Sequence, residues 1–269
     1  TYEVGVSVRR NSVCQNYFEA EIGKKFIFEL DALQTDEIKR AIGDFYPDVV
    51  INAIGITKQL VSKYDKEVVY RINADLPHYL ASLCSQNNIK LIHLSTDCVF
   101  SGRDGFYSDN DQSDVEDEYG KSKYIGEVCE KNAITIRKST IGTELNSSHG
   151  LVEWFLQSRG QIKGYTRAIY SGVTTRELSN VIRLILENNI NLSGIWNVAS
   201  QPINKYELLT MLSSFLGRKD IEILKDDTFV CDRSLDGSKF SKTTGYVAPS
   251  WNDMLNELAQ DIMQKELNN

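Results

Sequence analysis

The sequence lacks the features that place a chain at once in a membrane, disulfide-rich or nucleic-acid-binding class. It has no run of about 20 apolar residues, the length that a membrane-spanning helix needs. Its five cysteines are scattered without a C-x-x-C pair, which favours reduced thiols in a cytoplasm over a disulfide framework or a zinc site. A net charge of −7 argues against general nucleic-acid binding. We therefore predict a cytoplasmic protein with no membrane, nucleic-acid or metal partner.

The sequence also lacks the glycine-rich turn that brings backbone N–H groups against a dinucleotide pyrophosphate. Its first apolar segments, 3–8 and 25–30, resemble the second and third strands of a dinucleotide-binding pattern rather than the first. Either about two dozen residues precede this chain, judged by the spacing of that fingerprint, or part of a cofactor site has been lost. We favour the first interpretation, because a sheet without its central strand would expose its core.

Much of the sequence alternates between apolar runs and segments with helical spacing. Apolar runs at 49–56, 91–94 and 133–137 are typical of strands buried on both faces. Segments with helical spacing, 35–45 and 65–87, precede the first and second of these runs. Within 65–87, Pro77 should start a new helix or kink this one. This order predicts an α/β fold with a doubly wound, Rossmann-like parallel sheet. We expect a dinucleotide-binding domain over 1–142 and, over 143–269, a smaller α/β substrate-binding lobe with some segments that return to the main sheet.

One stretch, 91–123, combines groups that suit carbonyl reduction. A strand ends in Ser95 and Thr96, and about two dozen residues later Tyr119 and Lys123 lie four apart, on one face of a predicted helix. A free tyrosine has a pKa of about 10, and a neighbouring ammonium should lower it, so that the phenol exchanges its proton with a carbonyl oxygen. A surface Tyr–Lys pair and a strand-end hydroxyl that satisfies nearby backbone are the alternatives.

Three motifs together resemble the extended short-chain dehydrogenase/reductases, and within them the dTDP-4-dehydrorhamnose reductase-like (RmlD-like) group. They are 47–53 (PDVVINA), 94–102 (LSTDCVFSG) and 117–123 (DEYGKSK). The resemblance implies a catalytic triad of Thr96, Tyr119 and Lys123, in which Lys123 also holds the nicotinamide ribose. It further implies an NADPH-dependent reductase, with NADH as a possible cofactor. The substrate would be the 4-keto group of a nucleotide-linked 6-deoxyhexose, in the synthesis of cell-surface polysaccharide precursors. A homodimer is a possible assembly.

The same resemblance indicates further contacts. For the cofactor they are Arg9, Arg10, Asp31, Ala32, Ala53, Ile54, Gly55, Asn73, Ser95 and Lys123, and for the substrate they are Thr57, Asp97, Val99, Trp154 and Arg233. Arginines at the end of the second strand favour the 2′-phosphate of NADPH, since an acidic residue there binds the ribose of NAD. Solvated surface charges remain the alternative for Arg9 and Arg10, and core packing is the alternative for Trp154 and its neighbour Phe155.

Other activities stay open. A 4,6-dehydratase would carry an acidic pair after the threonine, whereas Asp97 is followed here by Cys98. An epimerase retains a tightly held NAD, which Arg9 and Arg10 disfavour. The segment 54–59 leaves room for a UDP-linked 2-acetamido-2,6-dideoxy-4-keto sugar as substrate. A non-catalytic role is a separate class, because some relatives of this fold, including the regulatory subunit of methionine adenosyltransferase, act by binding a partner.

Overall fold

The computed structural model describes residues 2–10, 12, 14–23, 26–145, 147–188 and 190–267. Lys25, the first residue of the predicted strand 25–30, therefore lies outside the described residues. The strands are β1 (Val6–Val8), β2 (Ile27–Glu29), β3 (Val49–Asn52), β4 (Lys90–Leu94), β5 (Ala133–Arg137), β6 (Thr140–Ile141), β7 (Gly160–Tyr165), β8 (Ala168–Tyr170), β9 (Val173–Thr174), β10 (Gly194–Asn197), β11 (Ile203–Asn204), β12 (Ile221–Asp226) and β13 (Cys231–Asp232). The helices are α1 (Gln15–Ile22), α2 (Thr35–Phe45), α3 (Lys66–Tyr70), α4 (Leu76–Gln86), α5 (Glu118–Ile125), α6 (Leu151–Gln157), α7 (Thr175–Asn188), α8 (Lys205–Phe215), α9 (Ser238–Thr244) and α10 (Trp251–Leu267).

The main sheet is parallel, with helices on both faces, so the predicted fold class is confirmed. Its strands run in the order β10-β5-β4-β3, and all three pairings are parallel. Neighbouring residues of β4 point to opposite faces, where Leu91 joins a core with α2 and α4 and Ile92 joins a core with α7. Both are fully buried, which explains why β4 is apolar on both faces.

The predicted helix 65–87 is interrupted, and Pro77 lies in the first turn of a new helix. α3 passes into a π-helical turn over Arg71–Asp75, and α4 then begins with Leu76 and Pro77. Proline fits this position because the first N–H groups of a helix have no intrahelical partner. The π turn carries Asn73, whose side chain supports the candidate site described below.

An apolar cavity separates β1 from β3. It has a volume of about 530 Å³, and its lining includes Val6, Phe28, Val50 and Ile51. In the described part of the chain β1 pairs only with β2, and β3 only with β4, so each has one edge without a strand partner. An extended segment between them would join both edges into one parallel sheet. This is the position at which the sequence pattern lacks a strand.

The C-terminal half contributes to both parts of the molecule. β10 pairs with β5 in the main sheet, while β7, β8, β11, β12 and β13 form two small separate sheets. α6, α8 and α10 cover a second core, in which Phe155, Leu208 and Leu255 are fully buried. A turn at Thr166 and Arg167 separates β7 from β8.

Candidate active site

The end of β4 forms a tight turn that fixes Thr96. Its hydroxyl accepts a hydrogen bond from the backbone N–H of Cys98 (3.1 Å) and donates to Oδ1 of Asp97 (3.1 Å). The hydroxyl thereby caps the short 3-10 turn over Asp97–Val99. Thr96 is only 8% exposed, and it lies at the carboxyl end of a parallel strand, where open α/β sheets bind ligands.

α5 is held against that turn by its N-cap and by a glycine. Asp117 accepts a hydrogen bond from the N–H of Gly120 at 2.9 Å and forms an ion pair with Lys58 at 2.8 Å. A Cβ atom on Gly120 would overlap the carbonyl oxygen of Cys98, so only glycine allows this approach. The first turn of α5 consequently presents Tyr119 to Thr96.

Tyr119 and Lys123 lie together beside β4, but their electrostatics differ from the expectation. Burial raises the pKa of Tyr119, and a hydrogen bond with Thr96 opposes that shift. The expected lowering by Lys123 is therefore not the dominant effect here. The Lys123 ammonium donates to the carbonyl oxygen of Leu94 at 2.9 Å, and burial lowers its pKa to about 8. At neutral pH the phenol is protonated, which is the form that donates a proton.

Two cavities meet at the loop after β3 and together form an elongated cleft. One, of about 400 Å³, is lined by Tyr119 and Lys123, and the other, of about 280 Å³, is lined by Arg9 and Asp31. Both share residues 54–56 as a wall. A Cβ atom on Gly55 would lie 3.3 Å from the side-chain oxygen of Asn73, so glycine lets the loop pack closely there. The shape and lining fit a dinucleotide laid across the loop.

Asn73 supports this loop from below and does not face the cleft. It is fully buried, and its side chain makes hydrogen bonds to both backbone groups of Ile56 (2.8 and 2.9 Å) and to the hydroxyl of Ser122 (3.0 Å). The asparagine thus ties the loop to α5. These contacts favour a role for Asn73 in positioning the loop, and direct contact with a cofactor stays a prediction.

The two arginines after β1 have different surroundings. Arg9 lines the smaller cavity with Asp31 and Ala32. Arg10 instead forms an ion pair with Glu37 of α2, whose other carboxylate oxygen accepts from the N–H of Asp31 at 2.8 Å. The structure therefore makes Arg9 available to a ligand, whereas Arg10 already has an acidic partner.

Two residues expected at ligands also make contacts behind the site. Ser95 lines the cavity of Tyr119, and its hydroxyl donates to Glu127 (2.8 Å), which is in a buried ion pair with Arg137. Val99 is fully buried in a core cluster with Phe100. The roles of Ser95 and Val99 in ligand binding stay predictions.

The substrate candidates form a polar group around Asp97. Burial raises the pKa of Asp97, and the nearby positive charge of Arg233 opposes that shift. The Arg233 guanidinium donates to the carbonyl oxygens of Phe100 (2.9 Å) and Ser101 (3.4 Å) and approaches the Cys98 sulfur at 3.7 Å. Its position beside Asp97 keeps it a candidate for substrate binding.

The other substrate candidates line the rim or lie farther away. Thr57 is exposed and lines the larger cavity. Ala53 and Ile54, which were expected to contact the cofactor, line the same cavity. Trp154 is 42% exposed, whereas Phe155 is fully buried, so core packing is the correct interpretation for Phe155 and Trp154 stays available.

The sequence analysis did not identify several polar and charged groups of the site. Lys138 and Thr140 follow β5 and line the cavity of Tyr119, and the Glu127–Arg137 pair lies behind it. A lysine directly after an apolar strand was a usable signal for Lys138, because the carboxyl ends of parallel strands share one edge. Among the described residues there is no group of three or more metal-ligating side chains, and no helix is long and apolar enough to cross a membrane.

The chain is similar in sequence to several known proteins. The chain is 28% identical over 220 residues to a probable low-salt glycan biosynthesis reductase of Haloferax volcanii, covering 78% of this chain and 70% of the relative. It is 35% identical over 187 residues to a dTDP-4-dehydrorhamnose reductase of Aggregatibacter actinomycetemcomitans, covering 65% of this chain and 63% of that relative. The zebrafish (Danio rerio) methionine adenosyltransferase 2 subunit beta is 30% identical over 105 residues, which is 39% of this chain and 32% of that protein.

The fold agrees with a solved structure of a dTDP-4-dehydrorhamnose reductase from Bacillus anthracis in complex with NADP. That structure superposes with a TM-score of 0.75 at 21% identity, covering 88% of this chain and 89% of the other. A family model, described as the RmlD substrate binding domain, matches residues 3–215. The match extends over most of the chain and includes all three sequence motifs. The chain therefore belongs to the RmlD substrate-binding domain family.

Proposed function

We propose that the protein is an NADPH-dependent reductase that acts on the 4-keto group of a nucleotide-linked 6-deoxyhexose. The observation that carries the proposal is the approach of Thr96, Tyr119 and Lys123 at the end of β4, beside an elongated cleft. The names of the bacterial and archaeal relatives point to the same class of reaction. Acid–base catalysis by such a group requires a protonated donor close to the carbonyl oxygen.

The residues of this chain supply the proton and hold the reacting groups in position. Bound NADPH would supply the hydride to the carbonyl carbon. Tyr119 donates its phenolic proton to the carbonyl oxygen, so an O–H bond forms as the phenol loses its proton. Thr96 would hydrogen-bond the carbonyl oxygen of the substrate, and the Lys123 ammonium would stabilise the phenolate that remains. Lys123 and Gly55 border the part of the cleft that fits the nicotinamide ribose.

The environment of Cys98 argues against a dehydratase. Elimination of water needs a base next to Asp97, and burial raises the pKa of the Cys98 thiol to about 12. A thiol that stays protonated at neutral pH does not remove a proton from a sugar carbon. Reduction needs a hydride, which bound NADPH would supply, and one proton, which Tyr119 can donate, so reduction is the chemistry that these residues support.

Arg9 supports NADPH over NADH and yields a direct test. Replacing Arg9 with Gln should weaken NADPH binding by about 10-fold or more, since an arginine–phosphate contact contributes about 1.5–3 kcal/mol, and should change NADH binding little. Arg10→Gln is the matched control, because Arg10 is already paired with Glu37, and it should have the smaller effect. Fluorescence titration of both cofactors measures this. An equal loss of NADPH and NADH affinity in Arg9→Gln would contradict a 2′-phosphate site.

A substrate panel tests the proposed reaction. The protein is mixed with NADPH and with dTDP- or UDP-linked 4-keto-6-deoxy sugars, with and without a 2-acetamido group, and oxidation is followed at 340 nm, the absorbance of the reduced nicotinamide. We expect turnover with at least one sugar nucleotide and none with the free sugars. Turnover with the 2-acetamido sugar would assign the amino-sugar alternative. Cofactor binding without turnover of any substrate would instead favour the regulatory class of the methionine adenosyltransferase subunit.

A further inference from the structure

Lys138 lines the cavity of the candidate active site and directly follows β5, the strand next to β4, whose end leads to Thr96. Its carbonyl oxygen accepts a hydrogen bond from the N–H of Asp97 at 3.1 Å, which fixes its backbone beside the end of β4. Its side chain lines the same cavity as Tyr119 and Lys123. Lys138 thus occupies the sheet edge at which ligands bind in open parallel sheets.

The Lys138 ammonium has no hydrogen bond or ion pair with any residue that the structure describes. Burial lowers the pKa of Lys138, and the negative charge of Asp97 opposes that shift. The same Asp97 also faces Arg233, while the positive charge of Lys138 adds to the lowering of the Lys123 pKa. Two cations, Arg233 and Lys138, thus act on one carboxylate. An unpaired, partly buried ammonium is costly unless something neutralises it.

A second unpartnered group lies beside it. The hydroxyl oxygen of Thr140 has no contact with solvent and no hydrogen-bond partner in the described part of the chain, and Thr140 lines the same cavity. The backbone is extended here, since Thr140 pairs with Val173 and Ser139 accepts from the N–H of Val173. Residues two apart on an extended chain share a face, so Lys138 and Thr140 point to the same side.

We propose that Lys138 and Thr140 form a subsite that binds an anionic group of the substrate. The ammonium forms an ion pair with the anion, and the Thr140 hydroxyl donates a hydrogen bond to it. The subsite rests on the proposed function in that the cleft accepts a sugar nucleotide. Two parts of such a substrate carry suitable anions, the diphosphate and an acidic substituent on the sugar, and both present oxygens that a lysine and a hydroxyl recognise.

The test measures binding rather than turnover, so it is independent of the reductase assay. Calorimetric titrations use UDP, UDP-glucose and UDP-glucuronate with the full chain and with Lys138→Met, Thr140→Val and Lys121→Met. Lys121 is an exposed lysine on the same helix as Tyr119, so its variant removes one charge outside the cleft. Lys138→Arg keeps the charge, and thermal unfolding shows that each variant is folded.

The expected result is a loss of about 10- to 100-fold in affinity for the anion-bearing ligand in Lys138→Met, as for a hydrogen bond to a charged group. Thr140→Val should lose less, Lys138→Arg should retain most affinity, and Lys121→Met should equal the wild type. A loss shared by all three ligands identifies the diphosphate as the anion, and a loss confined to UDP-glucuronate identifies a substituent on the sugar. The proposal is overturned if Lys138→Met binds every ligand as the wild type does, or if Lys121→Met weakens binding equally.

Discussion

Replacing Tyr119 with Phe should lower the turnover number by about 10²- to 10⁴-fold, the range that a positioned proton donor contributes. The ring is retained, so the packing of α5 against the turn at Thr96 should remain. NADPH affinity should stay within about 3-fold of the wild type, because Lys123 and Gly55, which border the ribose position, are untouched. Stopped-flow measurement of NADPH oxidation and a separate cofactor titration determine the two quantities.

Tyr124→Phe is the matched control for this prediction. Tyr124 lies on the same helix, and its hydroxyl donates to Gln112 at the surface (3.2 Å), so its loss should leave turnover unchanged. If Tyr119→Phe retained more than about a tenth of the wild-type rate, the proton would have to come from another group, and Asp97, whose pKa burial raises, would be the next candidate.

The elements of the main sheet were predictable because they have local causes. β3, β4 and β5 are apolar on both faces and are separated by amphipathic segments, so the sequence alone indicates a doubly wound sheet. The boundary between β7 and β8 was not predictable in this way. The chain turns at Thr166 and Arg167, and β8 then pairs with β11 and β13, which are distant in sequence. Long-range pairing of that kind leaves no local periodicity.

The site also contains residues that were predictable from the sequence and residues that were not. Thr96, Tyr119 and Lys123 lie in recognisable motifs, and the structure brings them together. Ser95 and Val99 lie in the same motif, and the structure adds that the Ser95 hydroxyl donates to Glu127 and that the Val99 side chain packs in a core cluster. The direction of a side chain after a strand end depends on the tight turn over Asp97–Val99, and that turn results from the Thr96 cap. Lys138 and Thr140 were missed because their significance depends on strands β4 and β5 being adjacent.

The buried pair behind the site yields the second large effect. Glu127→Ala should destabilise the protein by about 3–5 kcal/mol, because it leaves the Arg137 guanidinium buried without its carboxylate. Both side chains are only 2% exposed, and Arg137 donates to both oxygens of Glu127, at 2.8 and 2.7 Å. For a chain of this length the melting temperature should fall by about 6–20 °C. Thermal unfolding followed by circular dichroism measures it.

Two further variants separate the buried charge from the loss of a side chain. Glu116→Ala removes a carboxylate from the exposed Arg103–Glu116 pair, whose side chains are 66% and 76% exposed, and should change the melting temperature little, because solvent screens such a pair. The double variant Glu127→Leu/Arg137→Met removes both charges and should recover much of the stability lost in Glu127→Ala. If Glu127→Ala melted within the range of Glu116→Ala, the pair would not be a structural anchor. Because Ser95 donates to Glu127 and precedes Thr96, a confirmed loss would also connect this ion pair to the geometry of the catalytic turn.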